Sequence, residues 1–158
     1  MVDDLLLDAN LAVLLTVGLA DRKLIDQHKK LRAYSPRDFD EVTEFVALYD
    51  RLIFCPHVLA ETSNLSLSIT EPYRTKISNS LALIARSSTE LYRSSSDASN
   101  HPQFTSLGMT DAILLTLAAE GCVLLTADAA LHVAAITAGH EAYNYNHLRE
   151  ARIEREGE

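Results

Sequence analysis

Four acidic residues of this chain are of the type and in the sequence context that suit a metal site: Asp8, Glu61, Asp111 and Asp128. Each lies in or next to an apolar stretch, and none has a lysine or arginine within three residues. Carboxylates that cluster without a neighbouring cation repel one another, and a divalent cation would relieve that repulsion. Oxygen ligands of this kind suit Mg²⁺ or Mn²⁺. The first chemistry that the sequence suggests is therefore that of a carboxylate-bound divalent ion.

Each acid also has an ordinary structural explanation. Asp8 and Asp128 could cap helices, Asp111 could be a first-turn acid and Glu61 a solvated helix residue. The joint placement of the four favours the metal site. Zinc is disfavoured, because the six histidines show no compact ligand spacing.

Short apolar runs predict the strands that would position these acids. The runs are Leu5–Leu7, Leu52–Cys55, Cys122–Leu125 and a weaker one at Tyr143–Tyr145. Segments of helical period lie between them, among them a helix that Ser35 caps, with Pro36 in its first turn and Asp38 as the acid of a capping box. Another is the almost wholly apolar Ala112–Ala119, which Gly121 follows.

Uniformly apolar strands that alternate with helices predict a three-layer α/β/α sandwich with a mostly parallel central sheet. Ligand sites of such sheets lie beyond the carboxyl ends of the strands. Asp8 and Asp128 follow two strands, Glu61 lies on the helix after a third, and Asp111 opens the most buried helix, with Thr110 as its predicted N-cap. We therefore expect the acids to meet at one edge of the sheet.

The chain is predicted to be one domain over residues 1–148, with a charged tail or fraying helix at 149–158. The polar stretch Ser87–Ser106 is predicted to be a loop with one short edge strand at most. Cys55 and Cys122 are expected to be buried free thiols. No apolar stretch reaches the length of a membrane span and the N-terminus is acidic, so a cytoplasmic protein is expected.

The charge balance argues against general attraction to nucleic acid. With 14 basic and 22 acidic residues the formal charge is −8, so any contact with nucleic acid must be local. The segment "RKLIDQHKKLR", Arg22 to Arg32, carries five of the basic residues. It is either a contact for a phosphate backbone or a solvated helix face around Leu24, Ile25 and Leu31.

The pattern resembles the PIN-domain family of metal-dependent ribonucleases from Leu5 to about Tyr145. The resemblance is carried by "LLLDAN", "PHVLAETSNL" and, most specifically, "LGMTDAILLTLAAEGCVLLTADAAL". It implies an acidic quartet of Asp8, Glu61, Asp111 and Asp128, with Asn10 and Thr126 as accessory polar residues. Many members carry one more acid a turn after the position of Asp111, where this chain has Leu114 and Leu115.

What the resemblance implies is Mg²⁺- or Mn²⁺-dependent hydrolysis of single-stranded RNA by the quartet. The ion acidifies a water and stabilises charge on phosphorus during in-line attack, while Thr126 and Asn10 orient carboxylates. VapC-like members are toxins, which adds an antitoxin protein and a homodimer to the expected partners.

Three alternatives compete with this interpretation. Receiver domains and haloacid-dehalogenase-like phosphatases also combine a parallel sheet with early acids, but both use a late lysine, and the last lysine here is Lys76. The stronger alternative is a PIN-fold binding or scaffold module with little or no catalysis.

Overall fold

Five short strands form one parallel sheet in the computed structural model, which describes residues 3–157. The strands are β1 Asp4–Leu7, β2 Arg51–Phe54, β3 Thr89–Glu90, β4 Val123–Thr126 and β5 Ala142–Asn144. Their spatial order is β3-β2-β1-β4-β5, and helices flank the sheet. The prediction of a three-layer α/β/α sandwich is confirmed, and the sheet is parallel throughout.

The described residues contain nine α-helices and two short 3₁₀ helices, the latter at Arg22–Asp26 and Lys29–Leu31. The α-helices are α1 Ala9–Ala20, α2 Pro36–Val46, α3 Pro56–Ser66, α4 Tyr73–Ser87, α5 Ser95–Ser99, α6 Phe104–Leu107, α7 Met109–Ala119, α8 Ala129–Thr137 and α9 Tyr145–Glu156. Over this part of the chain, no helix combines the length and apolar character that a membrane span needs.

The central strand β1 places the first acid. Leu5 lies in register with Leu52 of β2 on one side and with Val123 of β4 on the other. The three leucines of β1 are fully buried, as expected for a parallel strand that helices cover on both faces. The carboxyl ends of β1 and β4 are therefore neighbours, and the residues that follow them lie together.

Helix α2 begins as the sequence predicts. Ser35 and Asp38 form a reciprocal capping box: the Ser35 backbone N–H donates to Asp38 Oδ2 at 2.7 Å, and the Asp38 N–H donates to Ser35 Oγ. The helix then crosses α1 closely, because Gly18 of α1 lies against the Phe39 ring. A Cβ at Gly18 would overlap that ring, so this approach requires glycine.

Helix α7 begins differently from the prediction. Thr110 does not cap it; the N-cap is Gly108, and the helix starts at Met109. Gly108 has φ +87°, a backbone conformation that glycine adopts more readily than any residue with a side chain. The position of this glycine therefore determines where helix α7 begins.

Two polar segments differ in structure from what the sequence indicated. The stretch from Ser87 to Ser106 contains the expected short edge strand, β3, but also α5 and most of α6. The basic segment Arg22 to Arg32 forms the two 3₁₀ helices rather than an α-helix, with Leu24, Ile25 and Leu31 buried as expected. Both cysteines are free and buried, as predicted.

Of the two predictions for the C-terminal residues, a tail and a fraying helix, the structure shows a helix, and it is packed and not frayed. Up to Glu156 they belong to α9, and Arg152 is only 2% exposed. Its guanidinium pairs with Asp38 Oδ1 at 3.0 Å and with Glu41 Oε1 at 3.4 Å, both on α2. Arg152 can therefore be packed here because its charge is matched by the buried carboxylate of Asp38 and the partly buried one of Glu41. Glu158 lies outside the described residues.

Candidate functional site

The four acids of the predicted quartet line one cavity of about 260 Å³. They reach it from four different elements: the end of β1, helix α3, the first turn of α7 and the loop after β4. The complete lining is Asp8, Ala9, Asn10, Glu61, Leu107, Met109, Thr110, Asp111 and Asp128. No lysine or arginine is among these lining residues, so the cavity is strongly acidic.

Asp8 is the most rigidly held acid. Its side chain is buried, with Oδ1 accepting the Leu11 N–H at 2.9 Å and Oδ2 accepting the Ala127 N–H at 2.8 Å. The first of these bonds caps α1. Burial raises the pKa of Asp8; its hydrogen bonds oppose that shift, and the nearby Asp128 adds to it. Asp8 is thus both a helix cap and a wall of the acidic cavity.

Thr126 joins two of the acids. It is fully buried at the end of β4, and its hydroxyl donates to Asp8 Oδ2. The same Oγ1 accepts the backbone N–H of Asp128 at 3.0 Å. Asp128 in turn caps α8, since its Oδ1 accepts the Leu131 N–H at 3.1 Å.

Asp111 is affected both by burial and by the charges of the other three acids of the cavity. Burial is the main cause that raises its pKa to about 7, and the carboxylates of Asp128, Asp8 and Glu61 add to the shift. The carboxyl groups are therefore close enough to act on one another through a partly dehydrated space. A cation in that space would offset the repulsion.

Glu61 and Asn10 are exposed residues on the rim of the cavity. Glu61 lies on α3 and Asn10 on the first turn of α1. Within residues 3–157, neither side chain makes a hydrogen bond, so both are able to turn toward a ligand. Thr126, by contrast, has no contact with the cavity and acts only on the carboxylate of Asp8 and the backbone of Asp128.

The donor set fits a hard divalent cation. Four carboxylates and one amide surround the cavity, with Asp111 under unrelieved repulsion. Between Asp3 and Gly157, however, no three His, Cys, Asp or Glu side chains are already placed as a group that could hold a metal ion. The chemistry of the residues thus matches such an ion, although the carboxylates surround a space and are not gathered at a point.

Sequence reasoning missed two residues near the site. Asn146, in the first turn of α9, donates from Nδ2 to the Ala127 carbonyl at 3.1 Å. Tyr34 is half-buried; burial raises its pKa to about 12, and the negative charge of Asp8 adds to the shift. Neither residue stands in a motif, and only the fold brings each one to the carboxyl end of the sheet.

The comparisons with known proteins give no family: the chain matches no protein-family model and has no significant match among curated proteins.

Proposed function

We propose that this chain is a PIN-like endoribonuclease that uses Mg²⁺ or Mn²⁺ to hydrolyse phosphodiester bonds of single-stranded RNA. The observation that carries the proposal is the single cavity that Asp8, Glu61, Asp111 and Asp128 line without any basic residue. Such a set of carboxylates is costly to keep together unless a cation binds among them. The resemblance of the sequence to PIN domains assigns the same four residues.

The four acids differ in how firmly their side chains are held, and their proposed roles follow from this difference. Asp8 and Asp128 have fixed positions, because each caps a helix and both contact the Thr126 hydroxyl. Asp111 and Glu61 have no such bonds and would complete the shell when the ion binds. A bound divalent ion acidifies a water and stabilises the charge that develops on the phosphate.

A larger apolar cavity gives the RNA strand room beside the acids. It has a volume of about 830 Å³ and shares Leu107 with the acidic cavity. Ala129, which follows Asp128 directly, belongs to its wall, together with Ala130 and Val133. No aspartate or glutamate is among these lining residues, so a nucleotide next to the cleaved phosphate would meet no repulsion there. An unstacked strand suits such a surface better than a duplex does.

Exposed cations of the basic segment supply a contact for the phosphate backbone. Lys29, Lys30 and Arg32 are exposed and form no ion pair with any residue from 3 to 157, whereas Arg22 pairs with Asp40 at 2.7 Å. Three free cations give a local positive field on a chain whose formal charge is −8. We propose them as the backbone contact, and by the same family resemblance we propose a homodimer and a small antitoxin partner.

Cleavage of an unstructured single-stranded RNA by the purified protein tests the function. We expect cleavage with Mg²⁺ or Mn²⁺ and none in EDTA. Activity should fall by at least about 100-fold in Asp8→Asn and in Asp111→Asn, because each change removes a proposed metal ligand and not merely a residue that supports one. Asp97→Asn is the matched control, since it makes the same chemical change at an exposed residue outside both cavities and outside the basic segment. Metal-independent cleavage, or full activity in both cavity variants, would contradict the proposal. RNA binding without any cleavage would favour the scaffold alternative.

A further inference from the structure

The peptide group between Ala127 and Asp128 is held at both of its polar atoms. Its N–H donates to Thr126 Oγ1 at 3.0 Å, and its carbonyl oxygen accepts Asn146 Nδ2 at 3.1 Å. A peptide plane that is bonded on both sides cannot rotate without losing these bonds. The direction in which Asp128 leaves the strand end is therefore fixed by Thr126 from one side and by Asn146 from the other.

The same short segment also holds Asp8. The Ala127 N–H and the Thr126 hydroxyl both donate to Asp8 Oδ2, the former at 2.8 Å. A displacement of residues 126–128 would consequently move two hydrogen-bond donors away from Asp8. It would also move Asp128 itself. Two of the four cavity carboxylates depend on this segment.

Asn146 is itself held firmly by the packing of α9. Its backbone N–H donates to Asn144 Oδ1 at 2.9 Å in the N-cap of the helix. The neighbouring Tyr145 is fully buried, and its hydroxyl oxygen lies 2.8 Å from both Asp38 Oδ1 and Glu41 Oε1, so its single proton is shared between these two carboxylates. The start of α9 is thus bonded to α2, so the backbone that carries the Asn146 side chain is held in place.

We propose that Asn146 is a positioning residue for the candidate metal centre. Its amide holds the Ala127–Asp128 peptide and, through it, the carboxylates of Asp8 and Asp128. Asn146 is not part of the cavity lining, so it acts through that peptide and not on the substrate. This inference rests on the proposed function, because it assigns the carboxylates to a cation.

Two variants distinguish the hydrogen bond that the Asn146 side chain donates from any effect of residue 146 on the stability of helix α9. Asn146→Ala removes the donor. Asn146→Asp keeps the size but places a carboxylate oxygen against the Ala127 carbonyl, while an acid in the first turn favours the helix. Asn79→Ala is the matched control, since Asn79 is an exposed asparagine on α4. Circular dichroism would show that all three variants keep the fold.

Three measurements test the proposal: amide hydrogen exchange, Mn²⁺ affinity of the purified protein and steady-state RNA cleavage. We expect the exchange of the Asp128 N–H to rise about 10-fold in both Asn146 variants, while amides in the middle of α8 keep their rates. We expect the Mn²⁺ affinity of Asn146→Ala to fall about 10-fold. Loss of a residue that bonds directly to a metal ligand typically lowers metal affinity about 10- to 100-fold, and Asn146 should have the smaller effect because it acts through a peptide group. The kcat for RNA should fall while KM stays within about two-fold, because the backbone contact is elsewhere.

The outcomes separate this inference from the function on which it rests. Unchanged exchange at Asp128 in both variants would overturn the positioning role, whatever the activity. Faster exchange with wild-type Mn²⁺ affinity and kcat would overturn it as well. If the wild-type protein neither binds Mn²⁺ nor cleaves RNA, the proposed function fails and takes this inference with it, even where the exchange data show that Asn146 holds the peptide.

Discussion

Thr126 donates a hydrogen bond to Asp8 across 118 positions of sequence, and the same oxygen accepts the backbone N–H of Asp128. One hydroxyl therefore orients a carboxylate from a neighbouring strand and also the loop that carries a second carboxylate. This relationship depends on the parallel register of β1 and β4, which places their carboxyl ends side by side.

The first prediction concerns that hydroxyl. Thr126→Val keeps the shape but removes both bonds, so we expect Mn²⁺ affinity and RNA cleavage to fall about 10- to 100-fold. The free energy of unfolding should fall by about 1 to 3 kcal/mol, since the buried Asp8 loses a donor. Titration calorimetry and urea unfolding measure the two effects.

The control for Thr126 is Thr62→Val. Thr62 is also buried, but its hydroxyl bonds to the Val58 carbonyl of its own helix, at 2.7 Å. We expect this variant to lose stability without losing Mn²⁺ affinity. Equal effects of both variants on metal binding would contradict a specific role for Thr126.

The second prediction is a pH dependence of stability in the metal-free protein. The pKa of Asp111 is raised from 3.8 to about 7 in the folded state, chiefly by burial and then by the neighbouring carboxylates. Between these values the folded chain keeps a proton that the unfolded chain has lost. The free energy of unfolding should therefore fall as pH rises from about 4 to about 7 and level off above about 8.

Urea unfolding in EDTA across that range measures this dependence, with Asp111→Asn as the reference. The raised pKa of Asp8 contributes with the same sign, whereas the lowered pKa values of Asp21 and Asp40, due first to their hydrogen bonds with Lys23 and with Arg22, act below about pH 4. We expect the variant to be more stable than wild type at pH 8 and to show a weaker decline. A constant difference between the two proteins at all pH values would show that Asp111 does not titrate in this window.

The third prediction concerns the apolar cavity beside the acids. Ala130 is exposed in its wall, so Ala130→Trp would occupy the space with little effect on folding. If a nucleotide lies there, RNA cleavage should fall about 10-fold or more, while hydrolysis of a small chromogenic phosphodiester stays within about two-fold. Ala85→Trp, at an exposed alanine of α4, is the control.

An equal loss of activity toward RNA and toward the small phosphodiester would mean that Ala130→Trp disturbs the acidic cavity itself and does not act by excluding a neighbouring nucleotide. A change in sedimentation behaviour of this variant, with unaltered RNA cleavage, would instead identify the wall as a contact between copies of the chain.

The fourth prediction concerns the buried ion pairs of α9. Arg152→Met leaves the Asp38 and Glu41 carboxylates without the buried guanidinium that lies 3.0 and 3.4 Å from them. A buried ion left without any partner costs about 3 to 5 kcal/mol; Asp38 keeps Arg149 at 3.3 Å, so the loss should lie at or below the lower end of that range and the midpoint of urea unfolding should fall. Arg155→Met, at an exposed residue of the same helix, should change the midpoint little. A loss below about 1 kcal/mol for Arg152→Met would mean that the network is not a source of stability.

The sequence predicts best what local chemistry decides. The capping box of Ser35 and Asp38 and the placement of Asp111 in a first turn are local, and both are present. The apolar runs predict four of the strands to within one residue at each end, and the parallel arrangement follows from their uniform hydrophobicity.

Long-range contacts account for what the sequence did not predict. The charges of residues 149–158 suggest a solvated tail or a fraying helix, but Arg152 is buried against two acids of α2, more than one hundred positions earlier. Asn146 stands in no motif and bonds to a backbone carbonyl 19 residues away. Such contacts leave no local pattern, because the partner is a carboxylate or a peptide group on another element.

The double use of Asp8 and Asp128 has a practical consequence. Each side chain accepts a backbone N–H at the start of a helix through one oxygen, and an asparagine carbonyl can do the same. At Asp8 the asparagine amide would face the Ala127 N–H that Oδ2 now accepts, so the fold is better kept by asparagine at Asp128 and at Asp111, whose side chain accepts no hydrogen bond from residues 3–157. These two changes would remove two negative charges and keep the starts of α1 and α8. If the chain cuts RNA as proposed, the doubly substituted chain would be an inert but folded copy of the protein that retains an uncut RNA strand long enough for its sequence to be read.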